Sequence, residues 1–122
     1  MSNQMKMVFY AFASLFICLN AEASGCVVPP YNATWGLEMP GSMTVAKNKT
    51  CSTVITSTGQ NEITVISPPR HGVATAFSSG VRYKPNKDYL GPDEFTFMRK
   101  GQDRYGSPSE SRIKMSVTVV SE

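Results

Sequence analysis

From Gly41 onward, apolar and polar residues alternate with a period of two, in short runs broken about every eight to twelve residues by turn-forming residues. The alternation is sharpest near the C-terminus. There Phe95 and Phe97 flank Thr96, and Ile113, Met115, Val117 and Val119 interleave with Lys114, Ser116 and Thr118. Successive side chains of a strand point to opposite faces, so each of these runs has one dry face and one wet face. Val81 and Tyr83 around Arg82, and Ile63 and Val65 around Thr64, repeat the pattern. The runs predict seven strands, at Ser42 to Ala46, Cys51 to Ser57, Glu62 to Ser67, Gly72 to Phe77, Val81 to Lys84, Glu94 to Lys100 and Ser111 to Val120. Their dry faces can close on one another, which makes the expected fold an all-β, antiparallel sandwich of two sheets. No stretch carries a helical period.

The punctuation agrees with this reading. Ser57-Thr58-Gly59, Ser78-Ser79-Gly80 and Gly101 to Gly106 supply residues that tolerate tight reversals. Pro68-Pro69 has no backbone N–H to donate, so the third strand must stop near Ser67. Residues 24 to 40, with Pro29-Pro30, Gly36 and Pro40, read as an extended lead-in to a domain spanning 41 to 122. Trp35 is expected to pack against the sandwich from that lead-in, the other use of such a residue being an exposed contact.

The order of residues from Pro69 to Val120 resembles the bacterial immunoglobulin-like domains of the cadherin-like tandem-repeat type. The residues that carry the likeness are Pro69-Arg70-His71-Gly72, Gly80, Tyr83-Lys84-Pro85-Asn86, Tyr89, Gly91-Pro92-Asp93-Glu94-Phe95-Thr96-Phe97 and Val117-Thr118-Val119. The resemblance implies an immunoglobulin-like sandwich working outside the cytoplasm, with Tyr83, Tyr89, Phe95 and Phe97 in the core. Asp93 is expected to cap backbone N–H groups of the loop entering the Phe strand. Large relatives string such modules together in adhesins, whereas this chain holds one copy. Some cadherin-like repeats bind calcium. Here Asp88, Asp93, Glu94 and Asp103 are the only candidate ligands near one end, and Arg99 and Lys100 would repel the ion, so no calcium site is expected.

The N-terminus changes the picture from fold to compartment. Lys6 precedes a twelve-residue uncharged run, Val8 to Leu19, too short to span a bilayer. Ala21-Glu22-Ala23 follows as a small-x-small cleavage site, so residues 1 to 23 read as a secretion signal with Ser24 first in the mature chain. The bland alternative is a buried N-terminal helix. Removal of the signal takes Cys18 and leaves Cys26 and Cys51, an even pair that predicts one disulfide in an oxidising compartment. A rival use of Cys26 is acylation, because Ala23-Ser24-Gly25-Cys26 loosely matches a lipoprotein cleavage site.

Charge adds little. The mature part keeps eleven Lys and Arg against eight Asp and Glu, with many of the cations in its second half but separated by acids and turns. An electropositive sheet face meeting an anionic surface polymer or headgroup is one reading, and solvated strand faces are the plainer one. Nucleic-acid binding lacks both a basic block and a stacking motif. His71 is the only histidine, no Gly-x-Ser-x-Gly elbow is present, and a filled sandwich of this size offers little cleft, so no enzyme activity and no cofactor or metal are expected. Asn32-Ala33-Thr34 and Asn48-Lys49-Thr50 are glycosylation sequons, relevant only in a eukaryotic secretory pathway. Lys47 and Lys49 flank the first strand edge as if to discourage pairing. The expected function is therefore a non-catalytic binding or structural module of the bacterial envelope. It would present the 101–106 loop, with Arg99, Lys100, Arg104 and Tyr105, to an envelope protein or an anionic surface polymer. A small secreted inhibitor or an enzyme accessory domain is the alternative.

Overall fold

The computed structural model describes residues 25–55 and 61–121, arranged as eight strands with no helix long and apolar enough to cross a membrane among them. The secretion signal, its cleavage tripeptide and the Ser57-Thr58-Gly59 turn lie outside the described residues. The strands are β1 (Cys26–Val27), β2 (Glu38–Ala46), β3 (Cys51–Val54), β4 (Glu62–Ser67), β5 (Gly72–Phe77), β6 (Gly80–Pro85), β7 (Gly91–Gln102) and β8 (Pro108–Val120). They form a five-stranded sheet, β1-β2-β8-β7-β4, and a three-stranded sheet, β3-β6-β5. Every neighbouring pair is antiparallel except β2 and β8, which run parallel from Glu38 opposite Arg112 to Ala46 opposite Val120.

The two-residue alternation becomes one shared core. Met43 and Val45 from β2, Phe95 and Phe97 from β7, and Ile113, Met115, Val117 and Val119 from β8 form the inward face of the larger sheet. Cys51, Val81 and Tyr83 meet them from the smaller one. The Tyr83 and Phe95 rings stack between the sheets with centroids 5.8 Å apart. Fully burying side chains of this size contributes roughly 1.5 to 3 kcal/mol each. Cys26 in β1 and Cys51 in β3 are joined by a disulfide with Cα atoms 5.2 Å apart, so the bond links one sheet to the other.

Where strands differ from the sequence expectation, a neighbour explains it. The stretch read as a lead-in supplies β1, and Cys26, Val28, Tyr31, Ala33 and Met39 pack against the core. β2 starts at Glu38 and runs through Pro40, since β1 reaches only Thr44 and Val45 and leaves this part of β2 an edge where a missing N–H breaks no ladder. β7 and β8 are longer than their apolar runs because each completes the other's hydrogen bonds out to Gln102 opposite Pro108. β4 ends at Ser67, before Pro68-Pro69 as expected, with a register shift between Val65 and Ser67.

Candidate functional site

The inward row of β7 reads Asp93, Phe95, Phe97, Arg99. The two phenylalanines are core, and a charged group lies at each end of the sandwich. At the first end, Asp93 accepts hydrogen bonds from the backbone N–H groups of Arg70 and His71 at 3.0 Å, from the Tyr83 hydroxyl at 2.8 Å and from the Glu94 N–H at 2.9 Å. The carboxylate thus ties the larger sheet to β6 and to the crossing between β4 and β5. Asp93 caps backbone N–H groups of the Pro-Pro-Arg-His crossing and not the expected ones of the loop entering β7, because the crossing is what the fold lays against this end of the strand. Burial raises the Tyr83 phenol far above its ordinary range, and the hydrogen bond to Asp93 and that residue's charge push the same way. His71 stacks on Tyr89 at 4.3 Å, nearly parallel, so its ring is engaged in packing. Asn48 and Asp88, both at positive φ, clip two loops at this end, with the Asn48 Nδ2 donating to Asp88 at 3.1 Å and the Asp88 N–H donating to Asn48 at 2.9 Å. Asp103 lies at the far end of β7, so the four acids weighed as calcium ligands are not gathered in one place. Among the described residues no group of three or more His, Cys, Asp or Glu could hold a metal.

The other end is built from a cation. Arg99 is only 5% exposed, its Nη2 donates to the Ala33 carbonyl at 2.8 Å, and its guanidinium carbon sits 3.8 Å from the centre of the Trp35 ring. Trp35 therefore packs against the sandwich, by a cation–π contact that strengthens when water is excluded. Gly36 and Leu37 hold the segment in place, the Gly36 N–H donating to Glu110 O at 2.7 Å and Leu37 O accepting from the Arg112 N–H at 3.1 Å. Burial lowers the Arg99 pKa, with Tyr31 opposing the shift. No carboxylate among the described residues pairs with it; the ion pairs between described residues are Arg112–Glu110 and Lys114–Glu94, both exposed. Two buried polar atoms here lack a hydrogen-bond partner, Arg99 Nε and Ser111 Oγ, and they belong to residues opposed across β7 and β8. Beside them, a cavity of about 520 Å³ is walled by Val28 to Ala33, Ser52 to Ile55 and Arg99. The hydroxyls of Tyr31 and Thr53 share a hydrogen bond in its wall.

Beyond Arg99 the β7–β8 hairpin projects past the core. Its reversal is organised by Asp103, whose carboxylate accepts from the Tyr105 N–H at 2.9 Å and the Ser107 N–H at 3.0 Å. Those bonds, Ser107 first, hold this carboxylate below the usual range. At the tip, Arg104 lies 5.9 Å from the Tyr105 ring, and Tyr105 is 82% exposed.

The four residues expected to form one binding surface separate into three places. Arg99 faces the core, and Lys100, one residue on, faces outward on β7 between Glu62 of β4 and Glu110 of β8. Arg104 and Tyr105 alone share the tip. The outward faces of the sheets differ in charge. The five-stranded face mixes Arg112, Lys114 and Lys100 with Glu38, Glu62, Glu94 and Glu110, whereas the three-stranded face sets Arg82 and Lys84 of β6 among neutral Ser52, Val54, Val73, Thr75 and Phe77. Tyr31 carries no sequence signal as a site residue because the lead-in shows no periodicity to assign it a face, while Thr53 and Ser111 stand in predicted strands, where a small hydroxyl marks neither core nor site.

No protein-family model matches this chain, and comparison with curated proteins finds no significant match.

Proposed function

We propose that the chain is an exported, non-catalytic immunoglobulin-like module of the bacterial cell envelope that binds through the Arg104–Tyr105 hairpin end. The observation that carries this reading is the disulfide between the sheets, a bond at home in the periplasm or outside the cell. The apolar run and cleavage-like tripeptide at the N-terminus support the same compartment. The bond to Cys51 engages the Cys26 sulfur that acylation would need, which supports a released product over a lipid-anchored one. The strand order supports the fold family: with β3 to β8 lettered B to G, the sheets partition as B-E-D and C-F-G.

A rigid sandwich that presents an exposed aromatic and a cation on one projecting turn suits recognition by surface complementarity, with an envelope protein or an anionic surface polymer as partner. The test is recovery of partners from envelope extract by the wild-type protein and by the Arg104→Glu, Tyr105→Ala variant, alongside intact mass of the exported product. The expected results are a mature chain beginning at Ser24 and loss of recovery by the variant. Equal recovery would contradict the hairpin's role, and an uncut cytosolic chain would contradict export.

A further inference from the structure

The two sheets have four lateral edges, and three are blunted. β1 is two residues long, and the stretch of β2 that it leaves uncovered carries Glu38 and Pro40. β4 carries Glu62, a register shift after Val65, and Pro68 immediately beyond its end. β3 is four residues long, and the lead-in runs beside it, with Tyr31 hydrogen-bonded to Thr53.

β5 has none of these protections. Gly72-Val73-Ala74-Thr75-Ala76-Phe77 contains no charge and no proline, and all six residues pair with β6 without a register break. It forms the outer edge of the three-stranded sheet, and Val73 is 61% exposed. Alternate residues of such an edge turn their N–H and C=O groups away from the sheet, a template for another strand.

We propose that β5 pairs with β5 of a second copy of this chain, antiparallel and centred on Thr75, which joins two three-stranded sheets into one of six strands. The sequence of β5 is self-complementary in that register. On the outward face Val73 meets the second copy's Phe77, Thr75 meets Thr75, and Phe77 meets Val73, so aromatic–β-branched and Thr–Thr pairs form without any charge opposed to its like. On the inward face Ala74 meets Ala76, two small residues that let the backbones approach. A two-fold axis makes one patch serve both partners, as an isologous dimer requires. The cations of β6 do not oppose this. Arg82 and Lys84 of one copy lie three strand spacings from those of the other, about 14 Å, beyond the screening length of about 8 Å at physiological salt. The inference does not depend on what the hairpin tip binds.

Light scattering of the purified mature protein across a dilution series reads the assembly directly. The expected result is twice the monomer mass for the wild type and the monomer mass for Thr75→Lys, whose circular dichroism spectrum keeps the all-β form while its melting temperature falls, because the new lysine faces Arg82 of β6 and the partner strand no longer adds stability. Register is read by oxidative cross-linking. Opposed residues in an antiparallel pair have Cα atoms about 4.5 to 5.5 Å apart, within disulfide range, so Thr75→Cys forms an intermolecular bond while Val73→Cys, set against Phe77, does not. A wild type that stays monomeric throughout would overturn the proposal. So would a Thr75→Lys variant that still dimerises, or cross-linking of Val73→Cys as efficient as that of Thr75→Cys.

Discussion

The two ends of β7's inward row close the sandwich with opposite charges and unequal success. Asp93 is an acceptor in a place where donors come with the backbone: the crossing from β4 to β5 turns two N–H groups toward it, and Tyr83 adds a hydroxyl. Arg99 is a five-donor fork in a place where one loop carbonyl and one aromatic face are what the lead-in supplies. Its Nε and the opposed Ser111 Oγ are left over. A carboxylate is easily satisfied by turns, whereas a buried guanidinium needs several converging acceptors or a carboxylate of its own. The Asp93 end therefore holds the fold together, and the Arg99 end, with its cavity and projecting hairpin, is less constrained by it.

The largest effect that sharpens this contrast comes from the disulfide, which sits on the Asp93 side because Cys51 is the cross-strand partner of Tyr83. Replacing both Cys26 and Cys51 with Ser removes a cross-link between residues 25 apart in sequence. The cost is about 3 kcal/mol, seen as a melting temperature lower by roughly 15 °C. Next comes Tyr83→Phe, which deletes one hydrogen bond to Asp93 and costs about 1 to 1.5 kcal/mol in urea denaturation.

The same variant has a pH signature. The folded chain holds the Tyr83 proton more tightly than the unfolded chain, where tyrosine ionises near pH 10, so this contribution is complete below about pH 10 and is lost as pH rises through the folded pKa. The wild type should lose stability more steeply than Tyr83→Phe above that pH, as read by phenolate absorbance together with denaturant melts. At the other end, burial also raises the Tyr31 phenol, but its bond to Thr53 and the Arg99 charge oppose the rise. The smallest effect belongs to the hairpin tip, where Arg104→Ser with Tyr105→Ser should change stability by less than about 0.5 kcal/mol, since neither side chain packs on the core.

Most of this architecture is legible in the amino-acid sequence. Period two marked Phe95, Phe97, Ile113, Met115, Val117 and Val119 as inward, and all are buried. Pro68 and Pro69 marked the end of β4, and the even cysteine pair anticipated the disulfide. What could not be read were features set by distant neighbours. β1 is two residues long and exists through its pairing with Thr44 and Val45, a partnership with no local pattern. Arg99 stands in the strand predicted at Glu94 to Lys100 and groups with Lys100 and the 101–106 loop by charge alone, although two-residue periodicity sets it on the face of Phe95 and Phe97. The phase of β7 turns Arg99 toward the core while Lys100 stays in water. The unpartnered Ser111 Oγ and the Trp35 cover follow from that same phase together with a lead-in whose path nothing in its sequence fixed.

The unequal roles of the two ends are tested most directly by one pair of urea melts, Asp93→Ala beside Arg99→Met. Truncating Asp93 strands the hydroxyl and N–H groups it satisfied and should cost about 2 to 3 kcal/mol, while Met keeps the bulk of Arg99 without its unpaired buried charge and should cost less than about 1 kcal/mol. Equal losses, or a larger loss at Arg99, would contradict the account.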